Sequence, residues 1–110
     1  MTMLTLPINL SSEDFEDVCD TAGYSIGYWA HSAVLGEDYY RINDEDGSHE
    51  ITRSHMIHTV AEIIAGKYDL ADSIRRNIML AFVNDDLGEL DAYDVDAIIQ
   101  LACLKEIVYG

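Results

Sequence analysis

The chain has 110 residues, 49% of them hydrophobic, which predicts a single domain spanning residues 1–110 with one apolar core. Its 21 acidic and 6 basic side chains give a formal net charge of −15. Direct binding to nucleic acid is disfavoured, because affinity for phosphates comes from Lys and Arg. The acidity instead favours a basic protein as the partner.

The first predicted elements are a strand over Leu4–Leu10, where apolar and polar residues alternate, and a helix that follows it. Ser11 is the expected N-cap of this helix, with Asp14 three residues on completing a capping box. Gly23 is the expected end of the helix. One buried helical face is predicted by the i, i+3, i+4 and i+7 spacing of Phe15, Val18, Cys19 and Ala22.

The segment from residue 24 to 35 is ambiguous, and we expect a helix or turn until about His31, followed by a strand. Residues Tyr39–Ile42 and Ser48–Thr52 have the composition of two further strands. The intervening loop Asn43–Gly47, with sequence NDEDG, is a strong turn signal. A β-hairpin with an acidic tip is therefore predicted.

Three helices are predicted in the second half of the chain, over residues 52–66, 69–84 and from Asp91 onward. Asp94, three residues after Asp91, is typical of a capping box at the start of the last of these helices. Ile107–Tyr109 is expected to close the chain as a short edge strand. The predicted fold class is α+β, with about four helices packed on a small antiparallel sheet or β-hairpin.

Catalytic and metal-binding patterns are weak throughout the chain. His49, His55 and His58 could converge on a metal, but no HExxH or CxxC spacing is present, and the solvated face of a helix is the favoured explanation of His55 and His58. Neither acidic loop matches the EF-hand spacing. No GxSxG motif occurs, and acidic neighbours should raise the pKa of the Cys19 thiol. We therefore expect no enzymatic activity, no cofactor and no bound metal.

The aromatic residues Tyr24, Tyr28, Trp29, Tyr39 and Tyr40 could stack bases, but Arg41 is the only Lys or Arg in this region. Proteins that stack bases surround their aromatic side chains with cations, so base stacking is disfavoured here. Packing in the core or at a protein interface is the expected role of these rings.

The acidic clusters give the most specific hypothesis. Residues 1–40 contain seven acids and no Lys or Arg. Carboxylates at i, i+3 and i+4 on a helix lie roughly 5–6 Å apart, similar to successive phosphates of a nucleic-acid strand. A solvated face or adaptation to high salt would produce the same composition. The predicted partner-binding residues are Glu13, Asp14, Glu16, Asp17 and Asp20, then Asp44, Glu45 and Asp46 at the hairpin tip, then Asp85, Asp86 and Glu89.

Two segments, GYSIGYWA at Gly23–Ala30 and DLGELDAYDVDAIIQLACLKEIVYG at Asp86–Gly110, resemble small acidic accessory proteins of actinobacterial bacteriophages. This resemblance implies a phage protein that acts in the bacterial cytoplasm. In size and charge the chain is also similar to phage DNA-mimic inhibitors of restriction and CRISPR effectors.

The resulting hypothesis is a non-enzymatic inhibitor that occupies the basic groove of a host DNA- or RNA-binding protein. An immunity protein or antitoxin directed against a nuclease is one alternative, and a self-associating structural phage protein, such as a homodimer, is another. A cytoplasmic location is expected for all of them, because the amino terminus lacks a basic signal-peptide start and no segment approaches the ~18 apolar residues of a membrane span.

Overall fold

The computed structural model describes residues 8, 10–83 and 87–109, and only the backbone of Glu89. These residues form four α-helices, a single 3-10 helix at Leu87–Glu89 and a three-stranded sheet. The helices are α1 (Ser12–Ser25), α2 (Arg53–Ile64), α3 (Asp72–Val83) and α4 (Ala92–Leu104). The strands are β1 (Ser32–Gly36), β2 (Tyr39–Asp44) and β3 (Gly47–Thr52). The predicted α+β class is therefore confirmed.

Helix α4 is the central element of the core and contacts α1, α2, α3 and β3. Its residues are buried on every side from Asp94 to Ala102 except at Asp96, which is half-buried. A helix that is apolar all round must be covered by other elements, because each of its faces would otherwise remain hydrated. The predicted start is confirmed: Asp91 is the N-cap, and Asp94 completes a reciprocal capping box with it.

The sheet is an antiparallel meander in the order β1-β2-β3, with Tyr40 opposite Ile51 and Arg41 opposite Glu50. Side chains alternate across it, so Tyr40, Ile42 and Ile51 are buried in the core while Arg41 and Glu50 face solvent. The change from a turn to a strand near His31 is confirmed, because a turn follows α1 and β1 begins at Ser32.

Helix α1 begins as predicted but ends later. The Ser11 hydroxyl accepts a hydrogen bond from the Asp14 backbone N–H at 3.1 Å, which is the N-cap half of the predicted box. The predicted stop at Gly23 is wrong, because the helix continues to Ser25 and Ile26 donates its backbone N–H to the Ala22 carbonyl. The buried stripe is confirmed in full, since Phe15, Val18, Cys19 and Ala22 are all buried.

The starts of the other helices were predicted with mixed success. Thr52 caps α2, and Gly66 adopts a positive φ of 80° just beyond its end, as expected. The predicted start of the next helix at Asp69 is wrong, because α3 begins at Asp72. Residue 84, the predicted end of that helix, lies outside the described residues.

Short strands were predicted near both ends of the chain. The strand predicted over Leu4–Leu10 falls mostly outside the described residues, of which Leu10 is buried in the core without regular secondary structure. The predicted strand at Ile107–Tyr109 is wrong. The Gln100 side-chain oxygen accepts both the Val108 and the Tyr109 backbone N–H, each at 2.9 Å, so a side chain takes the place of a strand partner.

Within the described ranges, no helix combines the length and the apolar composition that are needed to cross a membrane.

Candidate functional site

The acids of the first helix are presented to solvent. We call Glu13, Glu16, Asp17 and Asp20 the α1 acidic face, because all four are exposed on one continuous helix. Asp14 is half-buried, so it contributes less to this surface than was predicted. None of these five carboxylates forms an ion pair with another described residue. The face is therefore both solvent-accessible and uncompensated.

The basic residues that form ion pairs pair with acids elsewhere on the molecule. Arg53 lies 3.4 Å from Asp38 and also donates to the Leu10 carbonyl, which joins α2 to the start of the described chain. The other Lys and Arg pairs have N···O distances between 3.1 and 3.7 Å and are Arg41–Glu50, Lys67–Glu62 and Arg75–Asp72. The fold thus directs four of its six cations to carboxylates outside α1.

The hairpin tip is smaller than predicted. Residues 43, 44 and 47 belong to the strands, so only Glu45 and Asp46 form the turn, and both are exposed. The prediction that Asp44 presents its charge to a partner is wrong, because this side chain is buried. Its Oδ1 accepts the backbone N–H groups of Asp46 and Gly47, at 2.9 and 3.1 Å. Asp44 therefore shapes the turn instead of extending the acidic surface.

The third predicted cluster is only partly described. Asp85 and Asp86 lie outside the described residues, and for Glu89 only the backbone is described, within the 3-10 helix. Asp17 and Thr21 of α1 line one small groove together with Leu87 and Gly88. Leu87 and Gly88 therefore lie next to the α1 acidic face.

A larger groove lies at the end of α1, between α4, the start of α3 and residues 107–109. We call it the aromatic groove and define it by Tyr24, Tyr28, Tyr93, Asp96, Gln100 and Tyr109. Its volume is about 600 Å³, and its rim is unusually apolar for an exposed surface. The residues Tyr24, Tyr28 and Tyr93 are 92%, 59% and 79% exposed.

The floor of the aromatic groove is a hydrogen-bonded network centred on Asp96. Asp96 Oδ2 accepts from the Tyr28 hydroxyl at 2.5 Å, and Oδ1 accepts from Trp29 Nε1 at 2.9 Å. Gln100 Nε2 also donates to Oδ1, at 3.1 Å, and to the Tyr109 carbonyl at 2.9 Å. Burial, and then the hydrogen bond to Asp96, raise the pKa of Tyr28 to about 12. The phenol therefore stays protonated and donates to the carboxylate at neutral pH.

Tyr109 also lines the aromatic groove. It stacks on Trp29 with the ring centroids 5.1 Å apart and the planes 4° from parallel. Burial, followed by the nearby negative charges of Asp44, Glu45 and Asp46, raises the pKa of Tyr109. The hairpin tip therefore lies within electrostatic reach of the aromatic groove.

Sequence reasoning found part of this groove. It assigned Tyr24, Tyr28 and Trp29 to packing or an interface, but it did not single out Asp96 or Gln100. The signal in the sequence was the i, i+4 spacing of Asp96 and Gln100 in the segment DAIIQLAC, whose other residues are apolar. Polar residues at this spacing on a buried helix indicate a hydrogen-bonded network.

His49 and His58 lie beside carboxylates, Cys19 is buried and Cys103 is half-buried. His58 lies 3.6 Å from Glu62 and His49 3.3 Å from Asp44, and among the described residues no three His, Cys, Asp or Glu side chains form a potential metal cluster. Burial raises the pKa of both Cys19 and Cys103 to about 12. For Cys19 the charges of Asp20 and Glu16 add to this shift, so the predicted effect of acidic neighbours is confirmed.

The described surface thus presents two features: an acidic helix face without ion pairs, and an aromatic groove with a carboxylate in its floor. Comparison of the chain with protein-family models, with curated proteins and with solved structures finds no match.

Proposed function

We propose that the protein is a non-enzymatic inhibitor that presents the α1 acidic face to the basic groove of a nucleic-acid-binding protein. The proposed context is that of a phage protein acting in the cytoplasm of a bacterial host, as an antirestriction or anti-CRISPR factor does. Its mechanism is competition with nucleic acid for the same cationic surface.

The observation that carries this proposal is the separation of charges on the described surface. Four of the six basic residues pair with acids outside α1, whereas the α1 acidic face forms no ion pair with a described residue. Evenly mixed charges would be expected if acidity served solubility alone. An uncompensated face, on a net charge of −15, instead steers association with a cationic partner.

The spacing of the acids supports mimicry of a nucleic-acid strand. Asp17 and Asp20 are three residues apart, as are Glu13 and Glu16, on a helix that is continuous from Ser12 to Ser25. Side chains at such spacings lie roughly 5–6 Å apart, so the helix presents charges at intervals comparable to those of phosphates. Because the helix is anchored by a buried stripe, the row of charges is held rigidly and loses little entropy on binding.

The test compares two variants that remove equal charge from different places. The first is Glu13→Gln/Asp17→Asn/Asp20→Asn, and the matched control is Glu37→Gln/Asp69→Asn/Glu106→Gln, whose three acids are also exposed and have no described ion pair. Each immobilised protein captures basic proteins from a bacterial lysate, and the captured proteins are then released with a short DNA duplex.

We expect DNA to release the captured proteins, because a mimic and the duplex compete for one groove. We expect the α1 variant to lose about tenfold in affinity and the control variant about twofold or less, since three charges that face the partner contribute about 1.4 kcal/mol together. Equal losses in the two variants would show that only net charge matters. Captured proteins that DNA fails to release would contradict mimicry.

A further inference from the structure

We propose that the aromatic groove binds an arginine side chain of the basic partner, with the guanidinium held between tyrosine rings and neutralising Asp96. The identity of that partner as a basic protein rests on the proposed function, whereas the groove itself is a separate surface from the α1 acidic face. The aromatic groove thus recognises one type of side chain, in addition to the general attraction of an acidic surface for a basic protein.

The shape and lining of the groove fit a large side chain. A volume of about 600 Å³ lies within the range of pockets that enclose a ligand or a large side chain. Three tyrosines around it, Tyr24, Tyr28 and Tyr93, are more than half exposed. Large aromatic surfaces of this kind are costly to leave hydrated and are enriched where one protein anchors another.

The negative charge of Asp96 favours a cationic occupant of the groove. Asp96 is half-buried and accepts three hydrogen bonds, all from neutral donors. No Lys, Arg or His lines the groove, and Asp96 forms no ion pair with a described residue. The hairpin acids add a further negative field at Tyr109. A carboxylate with no counter-ion, within an apolar groove, favours a cation and repels an anionic ligand.

The groove is better suited to the guanidinium group of arginine than to the ammonium group of lysine. A guanidinium is planar and weakly hydrated, so it stacks on tyrosine rings while donating hydrogen bonds from its edge. A carboxylate offers about four acceptor positions, and three of those on Asp96 are occupied, which leaves one on Oδ2. A compact, strongly hydrated ammonium gains less from such a site.

The floor of the groove is preorganised for this contact. Gln100 is fully buried and holds both Asp96 and the backbone of residues 108 and 109. The Trp29 ring, whose Nε1 donates to Asp96, is stacked on the Tyr109 ring. Binding therefore orders few additional protein groups, which reduces its entropic cost.

The experiment uses a blocked pentapeptide with one central arginine between alanines, titrated into the full-length protein. Its counterpart carries citrulline, which has the same shape without the charge. Trp29 is the only tryptophan of the chain and donates to Asp96, so its fluorescence reports on the floor of the groove. We expect saturable binding of the arginine peptide and at least about tenfold weaker binding of the citrulline peptide.

Substitutions at two positions test the groove without unfolding it. Tyr93 is 79% exposed, so Tyr93→Ala should weaken arginine binding about three- to tenfold, whereas Tyr93→Phe keeps the ring and should retain it. Asp96→Asn preserves the shape of the carboxylate and should abolish the preference for arginine over citrulline. Val34→Ala, at an exposed residue of β1, is the control and should change nothing. Unchanged melting temperatures would establish that each variant is folded.

The outcomes separate this proposal from the proposed function. Equal affinity for the arginine and citrulline peptides would overturn it, as would a Tyr93→Ala variant that binds normally. A groove that is instead covered by a second copy of the chain would show a Trp29 signal and a sedimentation coefficient that rise with protein concentration, and would also overturn it. If the α1 triple variant loses its DNA-released partners but binds the arginine peptide normally, the groove is supported independently.

Discussion

Asp44 lies buried in the β2–β3 turn, where its carboxylate accepts two backbone N–H groups and lies 3.3 Å from His49 Nε2. Burial alone would raise its pKa. The hydrogen bonds from the Asp46 and Gly47 backbone, together with His49, outweigh burial and hold the pKa below its ordinary value of 3.8. The ionised form is therefore the one that the folded turn stabilises.

The pH dependence of this contribution follows from its sign. Because the folded-state pKa lies below the unfolded value, the stabilisation is present above about pH 4 and is lost as the pH falls through the folded pKa. Asp44→Asn should lower the free energy of unfolding by about 1–2 kcal/mol at pH 7. As the pH is lowered below about 4, the difference in stability between the variant and the parent protein should shrink progressively, as measured by urea unfolding.

The control for this prediction is Glu45→Gln in the same turn, whose exposed side chain should leave the stability within about 0.5 kcal/mol at either pH. A difference between Asp44→Asn and the parent protein that stays constant from pH 7 to ~2.5 would show that ionisation of Asp44 does not contribute.

At the scale of the element, α1 and the β1–β2 turn show two uses of glycine. Gly23 lies within α1, where a Cβ atom would meet nothing within 4 Å. Gly36 ends β1, where a Cβ atom would collide with the ring of Tyr39. Gly23 therefore lowers the stability of α1 although no close contact requires a glycine there. Gly36 permits a close approach between the backbone and the Tyr39 ring.

These surroundings predict opposite effects for the same substitution. Gly23→Ala should raise the free energy of unfolding by about 0.5 kcal/mol, because alanine has the higher helix propensity and loses less backbone entropy on folding. Gly36→Ala should lower it by about 1–3 kcal/mol, since the Tyr39 ring must move.

Thermal unfolding followed by circular dichroism measures both changes, and the two variants serve as controls for each other. Destabilisation by Gly23→Ala would mean that α1 does not extend past residue 23 in solution. Neutral behaviour of Gly36→Ala would mean that the Tyr39 ring does not pack on the turn.

At the scale of the whole molecule, the net charge of −15 acts against the compact state. Four ion pairs offset it locally, but their side chains are mostly exposed, and exposed pairs contribute less than about 1 kcal/mol each. The α1 acidic face adds repulsion, because its carboxylates form no ion pair with a described residue. Stability must therefore come from the apolar core around α4, which holds the charged surface in place.

Screening of this repulsion should be measurable. Raising NaCl from about 10 mM to about 0.5 M shortens the Debye length from about 30 Å to below 8 Å, so the melting temperature should rise by about 5 °C. The α1 triple variant, whose charge falls in magnitude from −15 to −12, should show a smaller rise. Sucrose at equal osmolality is the control for general solute effects, and a melting temperature independent of salt would contradict the prediction.

The amino-acid sequence by itself determined the local features of this protein. The capped starts of α1, α2 and α4, the buried stripe of α1 and the strand alternation of β2 follow from residue spacing and side-chain chemistry within a few positions. The exposure of Glu13, Glu16, Asp17 and Asp20 was predictable for the same reason, because the apolar stripe leaves them the opposite face.

Only the tertiary structure decided which charges find partners and which surfaces remain open. Asp44 is buried because the hairpin is tighter than its NDEDG sequence indicates, and residues 107–109 follow Gln100 instead of a strand. The aromatic groove joins Tyr28 to Asp96, 68 positions apart in the chain. Such contacts depend on how α1, α3 and α4 pack together, and the energy of that packing comes from the whole core instead of from local spacing.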